Sequence, residues 1–93
     1  MELISAHIIV GGRVQGVNFR VFVHNKAEYL GIKGYVRNLP SGSQIEVLAE
    51  GDKISITDLI EFLKIGPPAA KVEKVDAVFG RYTGKYSFFS IEY

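Results

Sequence analysis

The sequence predicts an α+β fold in which two amphipathic helices cover one face of an antiparallel sheet. The chain has 93 residues, of which 47% are hydrophobic, so residues 1–93 suit a single domain with one modest core. Glycines and prolines divide the chain into short segments. Two segments repeat apolar residues with the helical period, and the others are β-branched or alternate between apolar and polar residues, as strands do.

The first strand and the first helix are predicted on either side of a glycine-containing loop. Residues 6–10 (AHIIV) are apolar and β-branched, and a loop begins at Gly11 and runs through Gly16. Residues 19–30 have the helical period, with an N-cap predicted at Asn18 and a C′ glycine directly after the segment. The apolar stripe of this helix consists of Val23, Ala27 and Leu30.

A β-hairpin is predicted next. Residues 33–38 (KGYVRN) and 44–50 (QIEVLAE) are separated by turn residues 39–43, and the second strand alternates apolar and polar residues. One face of that strand carries Ile45, Val47 and Ala49. Gly51 and Asp52 are expected to end it.

The second helix is predicted from an apolar stripe at i, i+3, i+4 and i+7. The stripe consists of Ile56, Leu59, Ile60 and Leu63. Ser55 with Asp58 is similar to a capping box, and Gly66 followed by two prolines ends the helix. Residues 71–79 and 87–93 are predicted as strands. The order β-α-β-β-α-β with a short extra strand indicates the split-βαβ or ferredoxin-like layout.

Composition excludes several classes of protein. The chain has no cysteine, which excludes a disulfide scaffold, a thiolate nucleophile and a cysteine-ligated zinc site. Its formal charge is +1 without a basic stripe, so we expect no nucleic-acid partner. His7 and His24 are expected to have structural or surface roles and not to bind a metal. The start of the chain has no signal-peptide features, and no apolar run approaches the roughly 20 residues of a membrane helix. We therefore expect a cytoplasmic protein without a membrane partner.

The loop before the first helix is the candidate for chemistry. Such a loop directs free backbone N–H groups, together with the helix dipole, toward an anion. Arg20 in the first helical turn is electrostatically misplaced unless a bound anion neutralises that end, and a guanidinium suits phosphate. The alternative is a surface arginine that faces solvent or pairs with Glu28 or another acidic residue. Lysine is missing after Gly16, so the loop is not a Walker A motif, and G-x-G-x-x-G does not occur.

Two linked motifs resemble those of the acylphosphatase family. The segment from Gly12 to Arg20 (GRVQGVNFR) is similar to the family signature G-x-V-Q-G-V-x-F-R, and Gly34 to Asn38 (GYVRN) is similar to G-[aromatic]-V-x-N. The resemblance covers essentially the whole chain. The turn before Ile45 is one residue longer than the common form, with Ser41 where aspartate is frequent, so the register of residues 41–46 stays open.

The resemblance implies hydrolysis of the carboxyl-phosphate bond of small acyl phosphates to a carboxylate and inorganic phosphate, with no metal or cofactor. It places Arg20 and Asn38 at the catalytic positions. The implied phosphate cradle consists of the backbone N–H groups of Gln15, Gly16, Val17, Asn18, Phe19 and Arg20. We expect a monomer that binds inorganic phosphate as product and inhibitor. From the residues alone, the favoured interpretation of Asn38 is a turn residue that satisfies its own backbone.

Two other functions are compatible with the predicted fold. Lys33 to Val36 is similar to the start of the RNP1 motif of RNA-binding domains on the same fold, but it lies on the second strand and that motif belongs on the third. Acylphosphatase-like modules also occur inside larger proteins, where they have regulatory or carrier roles. We expect a freestanding module, which favours the simple hydrolase, and the presence of both Arg20 and Asn38 argues against a loss of catalysis.

Overall fold

The computed structural model describes all 93 residues and confirms the type of every predicted element. The elements are β1 (Leu3–Arg13), α1 (Phe19–Leu30), β2 (Lys33–Asn38), β3 (Gln44–Asp52), α2 (Lys53–Ile65), β4 (Lys71–Arg81) and β5 (Phe89–Glu92). The bounds of α1 and β2 coincide with the predicted ones. Gly51 and Asp52 do not end the third strand as predicted, because both still belong to β3.

The five strands form one mixed sheet in the order β4-β1-β3-β2-β5. Neighbouring strands are antiparallel except for β2 and β5, which are parallel. The prediction of an antiparallel sheet is confirmed for the four strands β4, β1, β3 and β2, and the short extra strand β5 joins that sheet in parallel. The reason is topological: β4 ends at the end of the sheet where β2 begins, and a short connection starts β5 there.

One face of the sheet packs against both helices and forms the core. Ala6, Ile8 and Val10 of β1 lie opposite Ala49, Val47 and Ile45 of β3, and all six are fully buried. Both helices contribute side chains to the same layer, namely Val23 and Ala27 from α1 and Ile56, Leu59 and Leu63 from α2. The alternation predicted for β3 is confirmed, because its apolar face is the one the helices cover.

The helix ends follow long-range contacts more than local capping signals. Asp52 occupies the N-cap position of α2, and no side chain caps that helix. The Lys53 N–H instead donates to the Glu2 carbonyl oxygen at 2.8 Å. The predicted capping box at Ser55 and Asp58 is therefore wrong. At the end of α1, Gly31 has φ 72° and the last carbonyls are bonded in a Schellman pattern, which confirms the predicted C′ glycine.

No helix of the structure has both the length and the apolar character required to span a membrane.

Candidate active site

A β-bulge at Gly11 and Gly12 turns the end of β1 toward the hairpin of β2 and β3. The pairing with β4 shifts register there, and the Gly12 N–H donates to the Ser43 carbonyl oxygen at 3.0 Å. Gly12 has φ 130°, and a Cβ at this position would lie 2.3 Å from the Lys71 carbonyl oxygen. Only glycine fits this conformation and this close approach. The bulge therefore fixes the direction in which the following loop leaves the sheet. The sequence predicted the loop to begin at Gly11, but β1 continues to Arg13.

The loop itself is held at both ends by apolar side chains, since Val14 is 1% exposed and Phe19 is 2% exposed. Between them, Gly16 has φ 73° and Asn18 has φ 67°, whereas Val17 has an ordinary φ. Alternation of left-handed and right-handed residues is the pattern that makes successive N–H groups converge into an anion-binding concavity.

The six backbone N–H groups from residue 15 to residue 20 have no acceptor within the protein. Asn18 lies at the N-cap of α1, as predicted, but its side chain accepts no capping hydrogen bond. The left-handed backbone at Asn18 departs from the extended conformation that side-chain capping normally uses. The N-terminus of α1 is thus a set of unpaired donors beside an exposed loop.

The Gln15 side chain ties this loop to the hairpin. Its Nε2 donates to the carbonyl oxygens of Leu39 at 2.7 Å and Gln44 at 2.9 Å, one on each side of the turn. Sequence reasoning assigned Gln15 only a backbone role and missed this contact. The partners lie 24 and 29 residues away, and nothing near Gln15 in the sequence indicates them.

Arg20 lies half-buried in the first turn of α1, which contains no acidic residue. One of its terminal nitrogens donates to the Glu92 carbonyl oxygen at 3.2 Å, and its guanidinium carbon lies 4.6 Å from the centre of the Tyr93 ring. Arg20 does not pair with Glu28, which was one alternative from the sequence. The Glu28 Oε1 lies 3.7 Å from the His24 Nε2 instead. A cleft of about 190 Å³ opens here, lined by Gly16, Asn18, Phe19, Arg20, Val21 and Tyr93.

Asn38 is the last residue of β2 and shares the helix-facing side with buried Val36, as predicted. Sequence reasoning expected Asn38 to approach the loop if the first two strands ran near each other, but β3 separates β1 from β2. Strand β5 connects the two residues instead. Arg37 lies opposite Glu92 in the β2–β5 pair, and the Arg20 guanidinium donates to the Glu92 carbonyl oxygen. Arg20 and Asn38 therefore lie at the same corner of the sheet.

A charged cluster occupies the other face of the sheet behind this corner. Glu46 accepts a hydrogen bond from the Arg37 Nε at 2.5 Å and lies 2.7 Å from the His7 Nε2. Burial alone would raise the pKa of Glu46, but the hydrogen bonds with His7 and Arg37 outweigh it, and this pKa lies below its usual 4.5. The Arg37 side chain is thus engaged away from Asn38.

The two histidines contact carboxylates and not each other. His7 pairs with Glu46, and His24 lies one helical turn before Glu28 on α1. No group of three or more side chains that could together ligate a metal ion is present.

Comparison with known proteins identifies the family of this chain. The family model described as Acylphosphatase matches residues 6–91. The chain belongs to the acylphosphatase family. An acylphosphatase of Pyrobaculum calidifontis is 42% identical over 98% of this chain and 83% of its own length. One from Dehalococcoides mccartyi is 44% identical over 91% of this chain and 93% of its own.

The fold agrees with the family. The crystal structure of acylphosphatase from Bacillus subtilis matches with a TM-score of 0.92 and 38% identity, covering 99% of this chain and all of that one. Acylphosphatases are hydrolases that act on acyl phosphates, so the predictions of an enzyme of this class and of a ferredoxin-like fold are confirmed.

Proposed function

We propose that the protein hydrolyses small acyl phosphates to a carboxylate and inorganic phosphate by in-line attack of one water, with no metal ion. Arg20 and the loop N–H groups hold the phosphoryl group, and Asn38 orients the water. The observation that carries the proposal is the set of six unpaired backbone N–H groups beside the Arg20 guanidinium.

Phosphate binding follows from the electrostatics of the loop. The N-terminus of a helix carries about half a positive charge, and its free N–H groups are donors that a phosphate oxygen satisfies well. Arg20 adds a full charge and a planar fork of donors suited to two phosphate oxygens. One terminal nitrogen already serves the Glu92 carbonyl, which leaves other guanidinium N–H groups for the substrate.

The chemistry requires positioning and charge stabilisation more than proton transfer. An oxygen–phosphorus bond forms from water as the bond to the acyl oxygen breaks, and the carboxylate leaves as a weak base that needs no general acid. Charge on the phosphoryl oxygens is stabilised by Arg20 and by the loop amides. The side-chain amide of Asn38 cannot act as a base, but it offers one donor group and one acceptor to a water. A phosphoryl oxygen of the substrate takes the proton that the water loses.

The test is the hydrolysis of benzoyl phosphate in EDTA, followed by ultraviolet absorbance. We expect turnover well above the uncatalysed rate, with competitive inhibition by inorganic phosphate. An Arg20→Ala preparation, purified in the same way, controls for a contaminating phosphatase. A folded wild-type sample that shows no turnover in EDTA would overturn the proposal.

A further inference from the structure

A second buried carboxylate lies on the open face of the sheet, outside the candidate active site. Glu50 is 2% exposed and belongs to no ion pair. Its two oxygens accept hydrogen bonds from the Thr83 N–H at 2.9 Å, from the Thr83 hydroxyl at 2.9 and 3.0 Å, and from the Gly84 N–H at 3.0 Å. Burying a carboxylate to this degree is costly unless its oxygens are satisfied, and these hydrogen bonds offset that cost.

The donors belong to the connection between β4 and β5, residues 82–88, which we call the crossing connection. It leaves one edge of the sheet and passes over three strands to reach the other edge. Four strand spacings amount to about 19 Å. The eight steps from Arg81 to Phe89 span at most about 26–29 Å when fully extended. The connection therefore has little slack, and Glu50 binds it over the middle strand of the sheet.

The crossing connection leads directly into β5 at its far end. Tyr86 packs near Tyr35 with ring centres 6.2 Å apart, and the Phe88 carbonyl oxygen accepts from the Gly34 N–H at 3.2 Å. β5 then spans only four residues before it supplies the Glu92 carbonyl to Arg20. Because only four residues of β5 pair with β2, its position depends on the chain that leads into it as well as on the buried Phe89 side chain.

We propose that Glu50 is a positioning residue for Arg20, which acts through the crossing connection and β5. The inference rests on the proposed function of Arg20 in phosphate binding. Removing the Glu50 charge loosens residues 82–88 and lets β5 shift, so that the Glu92 carbonyl and the Tyr93 ring no longer hold the guanidinium. The cost then falls on phosphate affinity, because the guanidinium is no longer preorganised.

The first variant is Glu50→Gln, which keeps the shape but presents an amide NH₂ where a donor now points. At a temperature where it is fully folded, we expect the inhibition constant of inorganic phosphate and the KM for benzoyl phosphate to rise roughly fivefold or more. Amide hydrogen exchange of β5 should accelerate roughly tenfold relative to β1 and β3. Glu46→Gln is the matched control on the same strand and face, and its phosphate inhibition constant should stay within about twofold of wild type.

A second pair of variants covers the case in which Glu50→Gln does not fold. Thr83→Val removes the hydroxyl and keeps both backbone donors, so a part of the same loss is expected. Thr83→Ser retains the hydroxyl and should restore wild-type phosphate affinity, which a general loss of packing at this position would not explain.

A double-mutant cycle separates this inference from the proposed function. If Glu50 acts through Arg20, Glu50→Gln has no further effect on kcat/KM in an Arg20→Ala background. Faster exchange in β5 with unchanged phosphate affinity, or equal effects in both backgrounds, would overturn the positioning role. Wild-type phosphate affinity in Arg20→Ala alone would instead overturn the proposed function.

Discussion

Arg20 is a cation placed at the positive end of a helix dipole, and a bound phosphate resolves that conflict. We expect Arg20→Ala to lower kcat/KM for benzoyl phosphate by roughly 10²–10³ or more and to abolish measurable inhibition by inorganic phosphate. Steady-state kinetics with a phosphate titration measures both effects. The matched control is Lys26→Ala on the same helix, whose ammonium lies 4.4 Å from the centre of the Phe62 ring, away from the cleft. Phosphate inhibition as strong as in wild type would remove Arg20 from the anion site.

Asn38 is expected to act on the water and not on the phosphate. Asn38→Ala removes the amide and leaves the backbone pairing with Ile45 intact. We therefore predict a fall in kcat of roughly 10², with the phosphate inhibition constant within about twofold of wild type. The kinetic parameters separate the two roles. A variant with weaker phosphate inhibition and normal kcat would contradict the water-orienting assignment.

At the scale of elements, two adjacent glycines at the end of β1 make a direct comparison. A Cβ on Gly11 would meet no atom closer than 3.9 Å, whereas one on Gly12 would lie 2.3 Å from the backbone oxygen of Lys71. We expect Gly12→Ala to lower the free energy of unfolding by roughly 2–4 kcal/mol, because the bulge must open. Gly11→Ala should change it by less than about 1 kcal/mol.

Urea denaturation of both variants measures the difference, and phosphate inhibition reports whether the loop has moved. Equal destabilisation by the two substitutions would show that the bulge does not require glycine at position 12.

The elements themselves were readable from the sequence, but several of their partners were not. The stripe of Val23 and Ala27 predicted α1 because helical periodicity is a local property. The cap of α2 was mispredicted, since its first N–H finds the Glu2 carbonyl 51 residues earlier in the chain. The parallel direction of β5 likewise depends on where β4 ends, which no local pattern encodes.

The same difference between local patterns and long-range contacts applies to the candidate site. Arg20, Asn38 and the loop were identified from contiguous motifs. The Gln15 bridge and the Glu92 carbonyl at Arg20 were not, because each joins residues that only the folded chain brings together.

At the scale of the whole molecule, the sheet has one apolar face and one face that carries ionisable groups across three strands. His7, Glu46 and Arg37 come from β1, β3 and β2, so their contacts join the centre of the sheet. On the same face, burial raises the pKa of Tyr35 above its usual 10.0, with a further contribution from the charge of Glu46. A raised pKa means that the folded state favours the neutral phenol. The free energy of unfolding therefore falls as pH rises above about 10 and the phenol ionises.

The loss of stability at acid pH tests the contribution of the Glu46 carboxylate. Its folded pKa lies below the usual 4.5, so the unfolded chain takes up this proton first as pH falls. The stabilisation is therefore complete above about pH 4.5 and is lost as pH drops through the folded pKa. Glu46→Gln removes the charge at every pH. We expect it to be less stable than wild type at pH 7, by on the order of 1–2 kcal/mol, and we expect the gap to narrow as pH falls through the folded pKa of Glu46.

Thermal unfolding of both proteins between pH 3 and pH 7 measures this gap. Asp76→Asn is the control, because this exposed carboxylate on β4 pairs with Lys74 at 3.5 Å in solvent and should contribute little at any pH. A gap between wild type and Glu46→Gln that stays constant from pH 7 to pH 3 would mean that the amide fails for reasons of shape. The charge that links β1, β3 and β2 would then contribute nothing to stability. A gap that closes on acidification assigns the stabilisation to the ionised carboxylate between His7 and Arg37.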